Sequence, residues 1–520
     1  MNTQRQLEKR TVRHVSEPLD LYEKIRRARR ANTLLLESAD LTTHAGTQSL
    51  IVADACLRVS CRGRRVFVEA LDENGAAAFP ALREALSGVP AEEKENALAF
   101  AFPPADDDLD EESRLRAPSP LDVLRALRER CAPAGAPERF LLGGIFAYDF
   151  IEVFEKLPPV PEGANTCPDF LFYLAETVVK INHVARSTEI FSLLLSEAPE
   201  VSRKISAREE EIARACENFV PAAAPAAKPQ PREVLPVSLN KSDKTYCAEV
   251  EYLKSFIRKG DIFQVVPARS FSAPCPNPEA AYRVLKRSNP SPYMFYVDDR
   301  DFAVFGASPE LSVKFTQATR LAELYPIAGT RRRGLREDGS VDFDLDSRIE
   351  FELRMDTKEL AEHLMLVDLA RNDLARIAKP NTRRTSELLK VDRYSHVMHL
   401  VSHVVAELRD GLDAFHAYLA CMNMGTLTGA PKIRATELIR EVERERRGSY
   451  GGAVGYVSGN GDMDTCILIR SAFVKDGVAV VQAGGGVVAD SVPQNEADES
   501  RSKAAAALSA IAQAQGKIPA

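Results

Sequence analysis

Residues 453–483 read AVGYVSGNGDMDTCILIRSAFVKDGVAVVQA. Three apolar, β-branched runs, Ala453–Val457, Thr465–Val474 and Val478–Ala483, follow one another across short connections rich in Gly and Asp. Connections that short leave no room for a crossover helix, so neighbouring runs pair antiparallel. Outward from this stretch, the second half repeats the pattern at Phe302–Phe305, Leu311–Phe315 and Val397–Val405. The first half does so at Thr33–Leu36, Val66–Ala70, Phe140–Ala147, Phe170–Ile181 and Thr188–Leu195. Helical periodicity marks Asp243–Lys259, Thr357–Ile377, Leu412–Met422, Arg434–Glu445 and Glu496–Gln515. Helices do not follow each strand in turn. The expected class is therefore α+β, with mostly antiparallel layers rather than a doubly wound parallel sheet. No short-period repeat is present.

The chain has 520 residues, enough for two large domains. Pro221–Pro236 (PAAAPAAKPQPREVLP) lacks apolar periodicity and reads as a linker between an N-terminal domain, 1–220, and a C-terminal one, 237–520. The acidic run PPADDDLDEE (103–112) reads as a solvated loop. Lys plus Arg number 68 against 75 Asp plus Glu, a net charge of −7 that lacks the basic face a nucleic-acid binder needs. No apolar run nears the ~18 residues of a membrane helix, and the polar N-terminus has no secretory h-region, so the expected location is cytoplasmic. Nine cysteines, an odd number with no CxxC, read as reduced thiols. Tryptophan is absent.

Two helices carry paired carboxylates. Glu359 and Glu362 are three apart, and Glu496 and Glu499 repeat that spacing, so each pair shares a helical face. Ser491 or Asn495 is placed to cap the second helix. Together the pairs suit a hard cation such as Mg²⁺; the same spacing also fits solvated faces with ion pairs such as Glu499 with Lys503. Gly484, Gly485 and Gly486 follow an apolar strand, as a backbone anion site or a plain hairpin would. Neither this loop nor GTLTGAPK (425–432) is a Walker loop. Arg470 in TCILIRSAF needs a carboxylate partner, internal or on a ligand. His399 and His403 lie in a β-branched run, where residues four apart are about 13 Å apart and cannot share one metal. One of them could face a cleft as a proton-transfer group, or both could be satisfied core residues.

Six segments, GDIFQVVPARSF (260–271), NPSPYMFY (289–296), PIAGTRRRG (326–334), DTKELAEHLMLVDLARNDLARI (356–377), GTLTGAPK (425–432) and VPQNEADES (492–500), resemble the chorismate-utilising enzymes, most of all their anthranilate-forming branch. The resemblance covers nearly the whole chain, LLLESAD (34–40) included. It implies two orthogonally packed antiparallel sheets with helices outside (α/β/β/α), chorismate as substrate and a Mg²⁺ requirement. It implies Glu362 and Glu499 as metal ligands, Glu496 in support, and Glu359 as the acid for the departing C4 hydroxyl. Arg470 and Tyr450 would clamp the enolpyruvyl carboxylate. Gly329, Thr330 and the Gly484–Gly486 loop would hold the rest, and His399 would assist loss of pyruvate. Water-adding relatives carry a lysine where this chain has Gln264, and aminodeoxychorismate-forming ones a lysine where it has Ala328; both positions favour ammonia addition at C2. Arg332 replaces the proline usual in this loop.

No cysteine lies in a GxCxG elbow with an HxE partner, so the resemblance implies a separate glutamine amidotransferase subunit, in a heterotetramer. It also implies feedback inhibition by L-tryptophan through Glu37, Ser38, Pro292, Tyr293 and Met294. A carboxylate and a hydroxyl suit an ammonium group there, and Met an indole. Isochorismate or salicylate synthesis, aminodeoxychorismate synthesis and a non-catalytic tryptophan sensor are the alternatives.

Overall fold

Two long strands, Gln48–Arg62 and Phe170–Asn182, organise the molecule. The computed structural model describes residues 9–26, 31–37, 48–106, 108–222, 233–336, 338–393 and 397–519. The two strands pair with each other along nearly their full length, and their register shifts between Val52 and Leu57. Such bulges bend a strand and let it pass from one sheet into another. On one side of the bend lie Thr33–Glu37, Tyr293–Asp298, Ala303–Ser308, Ser471–Lys475, Val478–Gly484 and Ala268–Pro274. On the other lie Leu141–Phe146, Ala453–Ser458, Met463–Ile467, Leu311–Thr316, Leu321–Leu324 and Val397–Glu407. All of these pairings are antiparallel, as expected from the short connections.

The apolar residues follow these layers. Leu34, Val52, Ile145, Leu171, Phe295 and Val454 come from both groups of strands and form one buried cluster. A second cluster packs the first group under helices Pro18–Ile25, Pro199–Glu217, Pro278–Ser288 and Pro493–Ala514. A third packs the other group under Leu121–Cys131, Ala414–Cys421 and part of Thr357–Ala375. Helix, sheet, sheet and helix thus succeed one another. Close approach of Leu141–Phe146 to the second long strand requires glycine: a Cβ on Gly144 would stand 2.0 Å from the Leu171 carbonyl oxygen.

Helix Asp243–Lys259 has the expected ends. Ser242 accepts from the Thr245 amide, and Gly260 closes it at φ +83°. Two expectations need correction. The run Thr465–Val474 is not one strand; it breaks between Met463–Ile467 and Ser471–Lys475, where Arg470 adopts φ +52°. The helix expected from Glu496 begins at Pro493, whose ring presets the first turn, and neither Ser491 nor Asn495 caps it. Strands from the two sides of Pro221–Pro236 pair directly, as Thr33–Glu37 does with Tyr293–Asp298. All nine cysteines are free. Among the described residues no helix is long and apolar enough to cross a membrane.

Candidate active site

The carboxylate helices converge. Asp356 starts helix Thr357–Ala375 by accepting from the Lys358 and Glu359 amides. Arg331 donates to Glu359 and to Asp356, each at 2.8 Å, so the cap and the first carboxylate share one guanidinium. Glu362 lies one turn on, 3.8 Å from the Lys358 ammonium. Burial raises its pKa; Lys358 opposes this, and the charges of Glu359, Glu499 and Glu496 reinforce it. Four carboxylates thus feel one another across two helices. Glu496 is buried, its pKa is raised by burial, and one of its oxygens has no hydrogen-bond partner. Glu499 forms the ion pair with Lys503 that the alternative reading of solvated faces named, at 2.6 Å, while Lys503 also donates to the Gly484 carbonyl at 2.9 Å.

The glycines explain the closeness. A Cβ on Gly485 would lie 2.5 Å from Glu496 Oε2 and 3.5 Å from Glu499 Cδ. One on Gly486 would lie 2.5 Å from Gln264 Nε2, and one on Gly329, at φ +77°, 3.2 Å from Glu359 Oε2. The loop 484–486, Gln264 and Gly329 therefore wall one space with the carboxylates. Gln264 is buried, its side-chain oxygen has no partner, and its backbone pairs with Ala430 of GTLTGAPK.

Among the described residues no three His, Cys, Asp or Glu side chains are grouped to hold a metal. Mg²⁺ needs less from a protein: one or two carboxylates suffice, the rest being water and substrate oxygens. Glu362 and Glu499 suit that donor set, and the orphaned Glu496 oxygen lies beside them.

Thr330 and His399 face each other on paired strands, with Thr330 Oγ1 2.9 Å from His399 Nδ1. Burial lowers the His399 pKa to about 4, so the imidazole is neutral. His403 has partners of its own, Glu323 at 2.9 Å and Ser386 at 2.7 Å. Arg470 faces the same space as the carboxylates: burial lowers its pKa, and the charges of Tyr450, Glu499 and Glu310 act against that. Burial pushes the Tyr450 phenol up to about 12.

Glu310 is the residue that the sequence reading does not name. It lies between strands Ala303–Ser308 and Leu311–Thr316, is buried, and has one unpartnered oxygen. Burial pushes its carboxyl up to about 8, against Thr426, Lys503 and Arg470. Its only signal in the sequence is a lone carboxylate within FGASPELSVKF.

The expected inhibitor residues divide between two faces. Glu37 pairs directly with Met294, so the two share a face. There the Glu37 carboxylate accepts from Lys286 at 2.5 Å and from the Tyr282 hydroxyl at 3.1 Å. An ammonium of the protein already occupies it. Tyr293 lies on the opposite face, where its hydroxyl reaches Asp464. Pro292 is buried next to it, and Ser38 lies outside the described residues.

Residues 91–509 match the family described as chorismate binding enzyme. The chain is 53% identical over 487 residues to anthranilate synthase component 1 of Escherichia coli (strain K12), covering 93% of each. It is 50% identical over 523 residues to the Serratia marcescens protein of the same name, covering 99% of each. The crystal structure of anthranilate synthase component I from Streptococcus pneumoniae TIGR4 superposes with a TM-score of 0.66 at 27% identity, covering 96% of this chain and 100% of that one. The menaquinone-specific isochorismate synthase MenF of Escherichia coli shares the fold, with a TM-score of 0.64 at 17% identity over 97% of this chain and 95% of that one. With its matching family model, close relatives of the same length and a wall of carboxylates, arginine and glycines, the chain belongs to the chorismate binding enzymes.

Proposed function

We propose that this chain is the synthase subunit of anthranilate synthase. It adds ammonia to chorismate at C2 and eliminates pyruvate to give anthranilate, the committing step toward tryptophan. The observation that carries this reading is that Glu359, Glu362, Glu496 and Glu499 crowd one space, Glu359 against Gly329 and the second pair against Gly485, with Arg470 facing Glu499 and Glu310. An acidic space with one buried guanidinium suits a dianionic substrate bound together with a cation. Glu362 and Glu499 would hold Mg²⁺, with Glu496 beside them. Bound there, the ion would supply Lewis-acid polarisation of the ring carboxylate.

The other steps belong to side chains. Arg470 and the Tyr450 hydroxyl hold the enolpyruvyl carboxylate, and Gly329 and Thr330 with the 484–486 loop fix the ring. Gln264, a neutral amide, cannot act as base toward water, and Ala328 offers no amine to the ring, which favours ammonia. Neutral His399, oriented by Thr330, is placed to take the proton lost on aromatisation. Two carboxyls compete to protonate the leaving hydroxyl. Glu359 already accepts from Arg331. Glu310, with its pKa near 8, carries its proton at neutral pH and is the second candidate.

Ammonia comes from a separate glutamine amidotransferase subunit in a cytoplasmic heterotetramer. The family resemblance assigns inhibition by L-tryptophan to Ser38, Pro292, Tyr293 and Met294, of which Met294 shares the Glu37 face. Glu37 contributes there only by releasing Lys286.

Purified chain given chorismate, Mg²⁺ and ammonium at mildly alkaline pH should release anthranilate and pyruvate. EDTA and tryptophan should suppress this, and glutamine should not replace ammonium. E362Q and E499Q should lose orders of magnitude in turnover. An aminated or hydroxylated ring without anthranilate would move the chain to another branch of the family, and full turnover by both variants would remove the metal assignment.

A further inference from the structure

The turn that carries Tyr450 is built by the C-terminal side of the chain and held by the N-terminal side. It spans Arg446–Gly452, between helix Lys432–Glu443 and strand Ala453–Ser458. Three hydrogen bonds tie it across, two between backbones and one to a side chain. The Arg446 amide donates to the Pro161 carbonyl at 2.9 Å, the Tyr148 amide donates to Gly448 O at 2.9 Å, and the Gly448 amide donates to Asp149 Oδ2 at 2.7 Å. Asp149 is 2% exposed, and its other oxygen faces Arg440 at 3.4 Å. Arg446 binds Glu152 and Asp169 from the same side.

A second anchor lies beside the first. Gly448 has φ +62°, and a Cβ there would meet Asn165 Oδ1 at 2.4 Å. Asn165 Nδ2 donates to Ser449 Oγ and to Gln482 Oε1, each at 2.9 Å. Gln482 lies in strand Val478–Gly484, which runs into the glycine loop. Asn165 therefore fixes the Tyr450 turn relative to that loop.

We propose that Asp149 and Asn165 are positioning residues that hold the Tyr450 hydroxyl where the substrate carboxylate is bound. This rests on reading Tyr450 as a substrate ligand. A group that binds the carboxylate does so equally before and during the reaction. Loosening it should raise KM and spare kcat.

The test compares D149N, N165A and Y450F with E162Q as control, Glu162 being a half-exposed carboxylate 3.7 Å from Arg446 at the rim of the same ion cluster. D149N and N165A should each raise the KM for chorismate about tenfold and leave kcat within about twofold. D149N combined with Y450F should be no worse than Y450F alone, because both act through one hydroxyl. A readout free of substrate runs alongside. In protein with ¹³C-labelled tyrosine rings, the Tyr450 signal, assigned by its loss in Y450F, should move in D149N and N165A and stay in E162Q. An unmoved signal in both variants, or additive KM effects, would overturn the proposal. If D149N does not fold, N165A carries the test. If the folded wild type does not consume chorismate, the reading of function fails and the spectrum alone decides: a displaced signal sustains the positioning role, and an undisplaced one ends it.

Discussion

A single buried carboxyl shows how much one residue can decide. Among the described residues Glu310 has no cation at hydrogen-bond distance, and burial lifts it to about 8. As proton donor it must be protonated, so turnover per unit of free ammonia should fall as pH rises through about 8. E310Q should lose about 10²–10⁴ in kcat and lose that alkaline limb with it. Stability falls in the same direction of pH. The folded form binds the proton more tightly than the unfolded form does. Its contribution is whole below the unfolded pKa and is lost as pH rises toward 8; in E310Q that loss should vanish from the urea-denaturation profile. An E310Q variant with wild-type kcat and an unchanged limb would return the acid role to Glu359. Glu310 was hard to read because desolvation is a property of the neighbours, and FGASPELSVKF does not name them.

At the scale of elements, the cap of helix Thr357–Ala375 does two jobs. Asp356 accepts from two amides of the first turn and shares Arg331 with Glu359. D356A should lower stability by about 1 kcal/mol, seen as a lower urea midpoint at constant slope, while D356N should keep most of it. A D356A midpoint equal to wild type would mean that Arg331 alone holds the helix start. This helix was legible because its carboxylates and apolar residues keep one period for 19 residues. Strand Gln48–Arg62 was not. Its alternation is interrupted by the bulges, and its buried Asp54 and Arg58 find their counter-ions in Arg208 and Asp299, each at 2.8 Å but more than 150 residues away. A charge that is paired at long range looks, along the sequence, like a surface residue. The break at Arg470 was hidden for a related reason: a left-handed residue other than glycine leaves no mark in an apolar run.

Across the whole molecule, the α+β class and the antiparallel layers could be read from connection length, whereas the partners of each strand could not. The Pro- and Ala-rich segment 221–236 was legible as a boundary of composition. Strand pairing ignores it: Leu141–Phe146 joins Ala453–Ser458 as Thr33–Glu37 joins Tyr293–Asp298. A protease site placed in 221–236 and then cut should leave the two pieces eluting together in size exclusion and still active. Pieces made separately should not fold, because each would expose unpaired strand edges and half of a shared core. Separate, soluble, monomeric pieces would show that the halves are independent domains.

The bent strands have one more consequence. Gln48–Arg62 and Phe170–Asn182 each belong to both sheets, so they form a hinge pin that neither half can give away. Exchanging the first 220 residues with those of a relative would replace both pins at once and set the side chains they bury against neighbours from another sequence. Any property that depends on these strands should therefore be grafted one sheet face at a time rather than as a module.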